Sequence, residues 1–227
     1  MARYARIVVC DYPHHVTARG NRREPIFFEN GDHDVYRTLL AEQAEEARVE
    51  IWAYCLMPNH VHLIAVPREQ TGLARAIGEA HRRYTNYINA RAGFRGHLFQ
   101  NRYGSVAMDD AHLITAARYV SLNPVRAGLV ARAEDWPWSS VRAHLKGEDD
   151  GLVKVRPLLE RVADFRTLVA PDPRDTDCFA ALRRSETTGR PLAAEDFVKD
   201  LERRIGRPIA RRASGRRKKS GDQPALL

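Results

Sequence analysis

Cysteine is scarce in this 227-residue chain: Cys10, Cys55 and Cys178 are far apart, and no C-x-x-C pair occurs. That argues against a disulfide framework or a thiolate zinc site, and each thiol reads as a small buried hydrophobe. Long apolar runs are missing too. Stretches such as "LIAV" and "YCLM" fall far short of the roughly 18 residues that a membrane span needs. Only "IVVC" separates Arg3 and Arg6 from Asp11, too little for a secretory h-region. The expected setting is cytoplasmic, with no membrane partner.

Acidic residues are absent from one place in particular. In "RRIGRPIARRASGRRKK" nine basic residues lie between Arg203 and Lys219 with no acid among them. The net charge of +8 comes almost wholly from the last third: residues 1–150 hold 19 Lys and Arg against 18 Asp and Glu, and residues 151–227 hold 18 against 11. Arginine-rich composition suits bidentate contact with phosphate, so Arg211, Arg212, Arg216, Arg217, Lys218 and Lys219 are candidate nucleic-acid contacts; a solvated tail is the alternative.

What the chain does have is a regular alternation of strand and helix patterns. A hydrophobic content of 44% is ordinary for a globular protein and supplies one good-sized core plus a smaller unit. The pattern predicts a first strand around His14 to Ala18, then a helix in "DHDVYRTLLAEQAEEARV" with Asp32 or Asp34 as its cap. Strands in "VEIWAYCLM" and "HVHLIAV" are separated only by "PN" and read as an antiparallel hairpin. A second helix closes on Gly93, a fourth strand or short hairpin lies in "LFQNRYGSVAMDD", and a third helix is expected to stop near Pro124. This order is the ferredoxin-like split βαβ arrangement of an α+β protein: an antiparallel sheet with helices packed on it. The core domain is expected over residues 1–150. Residues 151–227 form a basic, partly helical C-terminal extension with a disordered tail.

Within the hairpin, "MPNHVHLIAV" carries two histidines two positions apart. Strand side chains alternate faces, so His60 and His62 point the same way, with Ile64 and Val66. Two imidazoles on one rigid strand can share a divalent ion, or they can be an ordinary solvated or hydrogen-bonded pair. Among the eight tyrosines, only Tyr119 has a residue able to ligate metal one helical turn on, Asn123. Tyr119 lies beside the apolar stripe of Leu113, Ala117 and Val120, where a core-edge aromatic would also be at home.

Together "MPNHVHLIAV", "RYVSLNPVRAGLV" and "DWPWSS" resemble the HUH-type tyrosine transposases acting on single-stranded DNA, particularly the REP-associated branch. The resemblance runs in order and spacing from Pro13 to Leu145. It implies that His60 and His62 are the paired metal ligands, that Tyr119 is the catalytic nucleophile and that Asn123 completes the metal site. Relatives more often carry glutamine at this last position. It further implies Mg²⁺ or Mn²⁺ as cofactor, no nucleotide cofactor, a 5′-phosphotyrosine intermediate, single-stranded or hairpin DNA as partner, a nucleoid-associated location and a monomer or homodimer.

Arg82, Arg83, Arg91 and Arg95, on or after the second helix, and Arg102 are candidate DNA contacts, weighed against a solvated helix face. Trp136 and Trp138 read as core closure. Two rival functions remain: a domesticated, non-catalytic nucleic-acid-binding protein, and a metal-dependent phosphohydrolase that uses water and leaves Tyr119 dispensable.

Overall fold

The structure, a computed structural model, describes residues 6–172, Asp175, Phe179, Ala180, Leu182, 194–206 and 208–209. The basic residues at 211–219 and Cys178 lie outside the described residues.

Strands β1 (His14–Arg19), β2 (Val49–Met57), β3 (His60–Pro67) and β4 (Gly104–Ala107) form one antiparallel sheet in the order β2-β3-β1-β4. With α1 (Asn30–Glu46), α2 (Gly72–Ala92) and α3 (Asp110–Arg126) this is the expected split βαβ fold. The helices divide between the two faces. Val16, Ala18, Leu56, Val61 and Leu63 pack against Tyr36 and Leu40 of α1 and Ile77 and Tyr84 of α2. Cys55, Met57, Ile64 and Val66 face the other way, onto Leu113, Ala117, Tyr119 and Val120 of α3. A register shift between Ile51 and Ala53 turns Trp52 and Ala53 to the same side, as a β-bulge does.

Helix boundaries differ from expectation in two places. The cap of α1 is Glu29; Asp32 occupies the third helical position, where its carboxylate accepts from the backbone N–H of Phe28 and Glu29 and closes a capping box. Helix α3 does not stop at Pro124 but runs through it to Arg126. Proline there removes one hydrogen-bond donor close to the helix end, where the disruption is confined to the last turn. The consequence is functional, because Asn123 stays helical.

Residues past 150 are packed into the same body. Val153 bridges Ile51, Leu152 and Val155 join one core cluster, and Leu158 and Phe165 join the other, so packing runs through the boundary expected near residue 150. The first helical turns of this extension are Arg156–Leu159 and Phe165–Leu168. An unexpected short helix, Val141–Lys146, follows "DWPWSS". That motif covers the edge of β2: Leu56 N–H donates to the Trp138 carbonyl, Ser140 N–H to the Tyr54 carbonyl and Trp136 Nε1 to the Leu56 carbonyl. Closure by Trp136 and Trp138 is thus the observed role. The last described helix, Glu195–Ile205, lays Phe197 edge-on against Tyr12, 5.4 Å between ring centroids. No helix among the described residues is long and apolar enough to cross a membrane.

Arg91 locks α2 to the start of α1 by gripping both carboxylate oxygens of fully buried Asp32. Burial alone would raise the Asp32 carboxyl, but the Arg91 hydrogen bonds and the two backbone N–H donors outweigh it and hold the group below the ordinary carboxylate range. Its contribution is therefore complete above the unfolded carboxylate pKa of about 4 and is lost as pH falls through the lower folded value. Asp32→Asn is expected to cost about 2–3 kcal/mol at pH 7. In urea denaturation the gap between wild type and variant should close progressively below about pH 4.

Candidate functional site

The antiparallel register of β1 against β3 sets His62 opposite Thr17 and His60 opposite Arg19. His15, two residues before Thr17, shares their face. Its Nε2 lies 3.0 Å from His62 Nδ1 with the two rings stacked. His60 and His62 meet nearly at right angles, 4.9 Å between centroids. Above them α3 brings the Tyr119 ring edge-on to His62 at 5.4 Å and to His15 at 5.9 Å. The three residues expected to act together, His60, His62 and Tyr119, are thus assembled in one chain. Asn123 follows one turn along α3, 8% exposed, and its Nδ2 has no hydrogen-bond partner among the described residues.

The orientation of His60 follows from its neighbour. Asn59 Nδ2 donates to the Arg23 carbonyl at 2.9 Å, which turns Asn59 Oδ1 toward His60 Nδ1 at 2.6 Å. An amide oxygen only accepts, so Nδ1 carries the proton and Nε2 keeps its lone pair. In the His62–His15 contact, too, His62 is engaged through Nδ1. Burial, helped by the positive charge of Arg19, pushes His60 down to about 4. Burial alone lowers His15 to about 4. His62 is lowered well below its usual value by burial and then by the adjacent His15, His60, Arg19 and Arg126. Neutral imidazoles fit a divalent cation, His60 through its Nε2, and the carboxamide oxygen is the atom Asn123 would offer as a third donor. Among the described residues no cluster of three His, Cys, Asp or Glu side chains could hold a metal; the fit depends on asparagine as third ligand.

Sequence reasoning misses two site residues, Arg126 and Arg19, and leaves His15 as a strand histidine that could add to the site but is more often structural. His15 is brought in by strand pairing. Arg126 sits over the Tyr119 ring, its guanidinium carbon 5.0 Å from the centroid, and over Phe179 at 4.7 Å. Arg19, opposite His60, is exposed. A count along α3 places Arg126 two turns after Tyr119 and would have found it; pairing of His15 with His62 has no local signature. Phe179 packs edge-on against Tyr119, which is 5% exposed. Arg118 ties down this cover by pairing with Asp175 and donating to the carbonyls of Leu168 and Ala170.

The expected DNA-contacting arginines lie elsewhere. Arg82 pairs with Glu79, Arg83 with Glu42, and Arg91 with Asp32 and Glu29. All three are on α2, across the sheet from Tyr119. Arg95 and Arg102 are exposed in the segment leading to β4, which runs beside Arg19 to Asn21 through Gln100 N–H to the Arg19 carbonyl and Asn21 N–H to the Leu98 carbonyl.

The site is thus a sheet bearing paired histidines beneath a helix-borne tyrosine. Residues 8–123 match the family described as transposase IS200 like, and the chain belongs to that family, whose class of activity is DNA transposition. More particularly, it is similar to a REP-associated tyrosine transposase of Haemophilus influenzae, 26% identical over 124 residues that make up 50% of this chain and 70% of the relative. A solved structure described as a REP-associated tyrosine transposase bound to a REP hairpin shares the fold with a TM-score of 0.53 at 21% identity, covering 68% of this chain and 90% of that one.

The Asn59 linkage predicts a tautomer. Long-range ¹H–¹⁵N spectra at pH 7 should show His60 protonated at Nδ1 and bare at Nε2. Asn59→Ala should replace this with a mixture of tautomers while the remaining histidine signals stay put.

Proposed function

We propose that this protein cuts and rejoins single-stranded, hairpin-forming DNA, with Tyr119 as the nucleophile. The observation that carries the reading is the packing of the Tyr119 ring against His62, with Asn123 one turn along the same helix. Family membership and likeness to a protein whose structure holds a REP hairpin support it.

A phenol with a reference pKa of about 10 attacks poorly at neutral pH, so reaction depends on positioning and on charge at the target. In the proposed step the Tyr119 oxygen forms a bond to phosphorus and the bond to the 3′-oxygen breaks. The products are a 5′-phosphotyrosine and a free 3′-hydroxyl, and the phenolic proton is released as the 3′-oxygen gains one. One phosphodiester replaces another, so a second 3′-hydroxyl reverses the step without a nucleotide cofactor. His60, His62 and Asn123 would hold Mg²⁺ or Mn²⁺, which supplies charge neutralisation at the scissile phosphate. Arg126, already against the Tyr119 ring, adds positive charge on the same side. His15 keeps His62 oriented. Every one of these groups comes from a single chain, so the reading needs no tyrosine from a second copy. Phe179 and Arg126 cover the phenol, and DNA engages it when that cover shifts.

Incubation with a single-stranded hairpin and Mn²⁺ should give a denaturant-resistant protein–DNA adduct. Tyr119→Phe should abolish the adduct while hairpin affinity stays within about twofold, and chelation by EDTA should also abolish it. Hairpin binding with no cleavage by wild type would favour the non-catalytic reading, and cleavage surviving Tyr119→Phe would favour the water-using phosphohydrolase.

The positioning role of His15 has its own readout. His15→Phe should weaken Mn²⁺ binding, followed by paramagnetic resonance, by roughly 10- to 100-fold, and His15→Gln should recover part of that loss. Unchanged Mn²⁺ affinity in both variants would remove His15 from the site.

A further inference from the structure

Two large aromatic side chains stand in solvent on the far side of the His60 end of the sheet. Phe28 is 46% and Phe94 55% exposed, and their rings meet edge to face, 6.2 Å between centroids. Neither backbone position is loose. Phe28 N–H donates to Asp32, and Phe94 N–H donates to the Asn89 carbonyl, while Asn89 Nδ2 closes the turn on the Gly96 carbonyl. Arg91 ties the two segments together through Asp32 and Glu29.

The surrounding charge is predominantly positive, although Glu24 and Glu29 are exposed beside it. Arg95 follows Phe94 directly, and the turn before Phe28 carries Arg22 and Arg23, both in the left-handed region at φ +54° and +66°. Non-glycine residues held in that region store strain and cluster at functional sites. The turn is closely packed: a Cβ on Gly20 would come within 2.2 Å of the Glu24 carbonyl oxygen, and Asn59 holds the Arg23 carbonyl. All of Arg19, Arg22, Arg23, Arg95 and Arg102 are exposed, and no ion pair among the described residues involves them, unlike Arg82, Arg83 and Arg91. A second copy of this chain would bring two predominantly positive surfaces together. A polyanion with flat apolar faces is complementary.

We propose that Phe28 and Phe94 form a stacking platform for an unpaired nucleobase, with Arg22, Arg23 and Arg95 holding the phosphates on either side. Aromatic faces set among arginines are the chemistry that binds single strands without reading sequence. The platform leads to the site through the backbone: Ile26 and Phe27 N–H donate to the Pro58 carbonyl, and Asn59 joins Arg23 to His60. A strand stacked here is delivered to the His60 end of β3. This identification of the occupant rests on the DNA-cleavage reading; the platform itself is tested by binding.

The test uses the full-length protein and fluorescein-labelled oligothymidine, with affinity from fluorescence anisotropy. Phe28→Ala and Phe94→Ala should each weaken binding about 5- to 100-fold, and Phe28→Trp and Phe94→Trp should preserve it. Arg22→Gln, Arg23→Gln and Arg95→Gln should each flatten the log–log salt dependence by about 0.7. Far-ultraviolet circular dichroism checks folding, which substitutions at exposed positions leave intact. Alanine variants that bind like wild type would overturn the platform, as would leucine variants that bind equally well. A dimer that Phe28→Ala converts to monomer in sedimentation would overturn it in favour of an interface between copies. A Tyr119-dependent adduct with unaltered oligothymidine binding in the alanine variants sinks the platform alone. Weakened binding with no adduct from wild type upholds the platform and sinks the cleavage reading.

Discussion

The register between β1 and β3 is the constraint on which the site depends. Because strand side chains alternate faces, pairing His62 with Thr17 and His60 with Arg19 puts His15, His60 and His62 on the side covered by α3. A slip of one residue would turn His15 into the core formed by α1 and α2 and bring Val16 and Ala18 to the site. What prevents the slip is the apolar set on the opposite face, where Val16, Val61 and Leu63 are fully buried. The site is polar because the other side of the same strands is not.

Burial then decides the chemistry of the imidazoles. In water they would titrate near neutrality; here the loss of solvation and the nearby arginines keep them uncharged. His60 has its Nδ1 engaged by Asn59, and His62 has its Nδ1 engaged by His15. Asn59 belongs to both the site and the strained arginine turn, because one amide serves His60 and the Arg23 carbonyl. Arginines on α2 pair with acids and lock helices, whereas those near the His60 end take part in no ion pair among the described residues.

The sequence made much of this legible. Alternation in "HVHLIAV" assigned His60 and His62 to one face, the two-residue "PN" linker gave the hairpin, and the spacing of Tyr119 and Asn123 singled out α3. These are local regularities with periods of two and 3.6. The arginines were harder to rank, since a guanidinium on an exposed helix looks the same from sequence whether a glutamate is beside it or not. Pro124 misled because the rule that proline ends helices is strict in their middle and loose in their last turn.

By itself the sequence determined the elements, their order and which residues on each could act, because those depend on backbone geometry and on the pattern of apolar side chains nearby in the chain. Tertiary structure alone decided that His15 supports His62, that Arg126 and Phe179 cover Tyr119, and that Phe28 meets Phe94 beside a strained pair of arginines. Those contacts join residues tens of positions apart through sheet pairing and helix packing, and no periodicity along one segment encodes them.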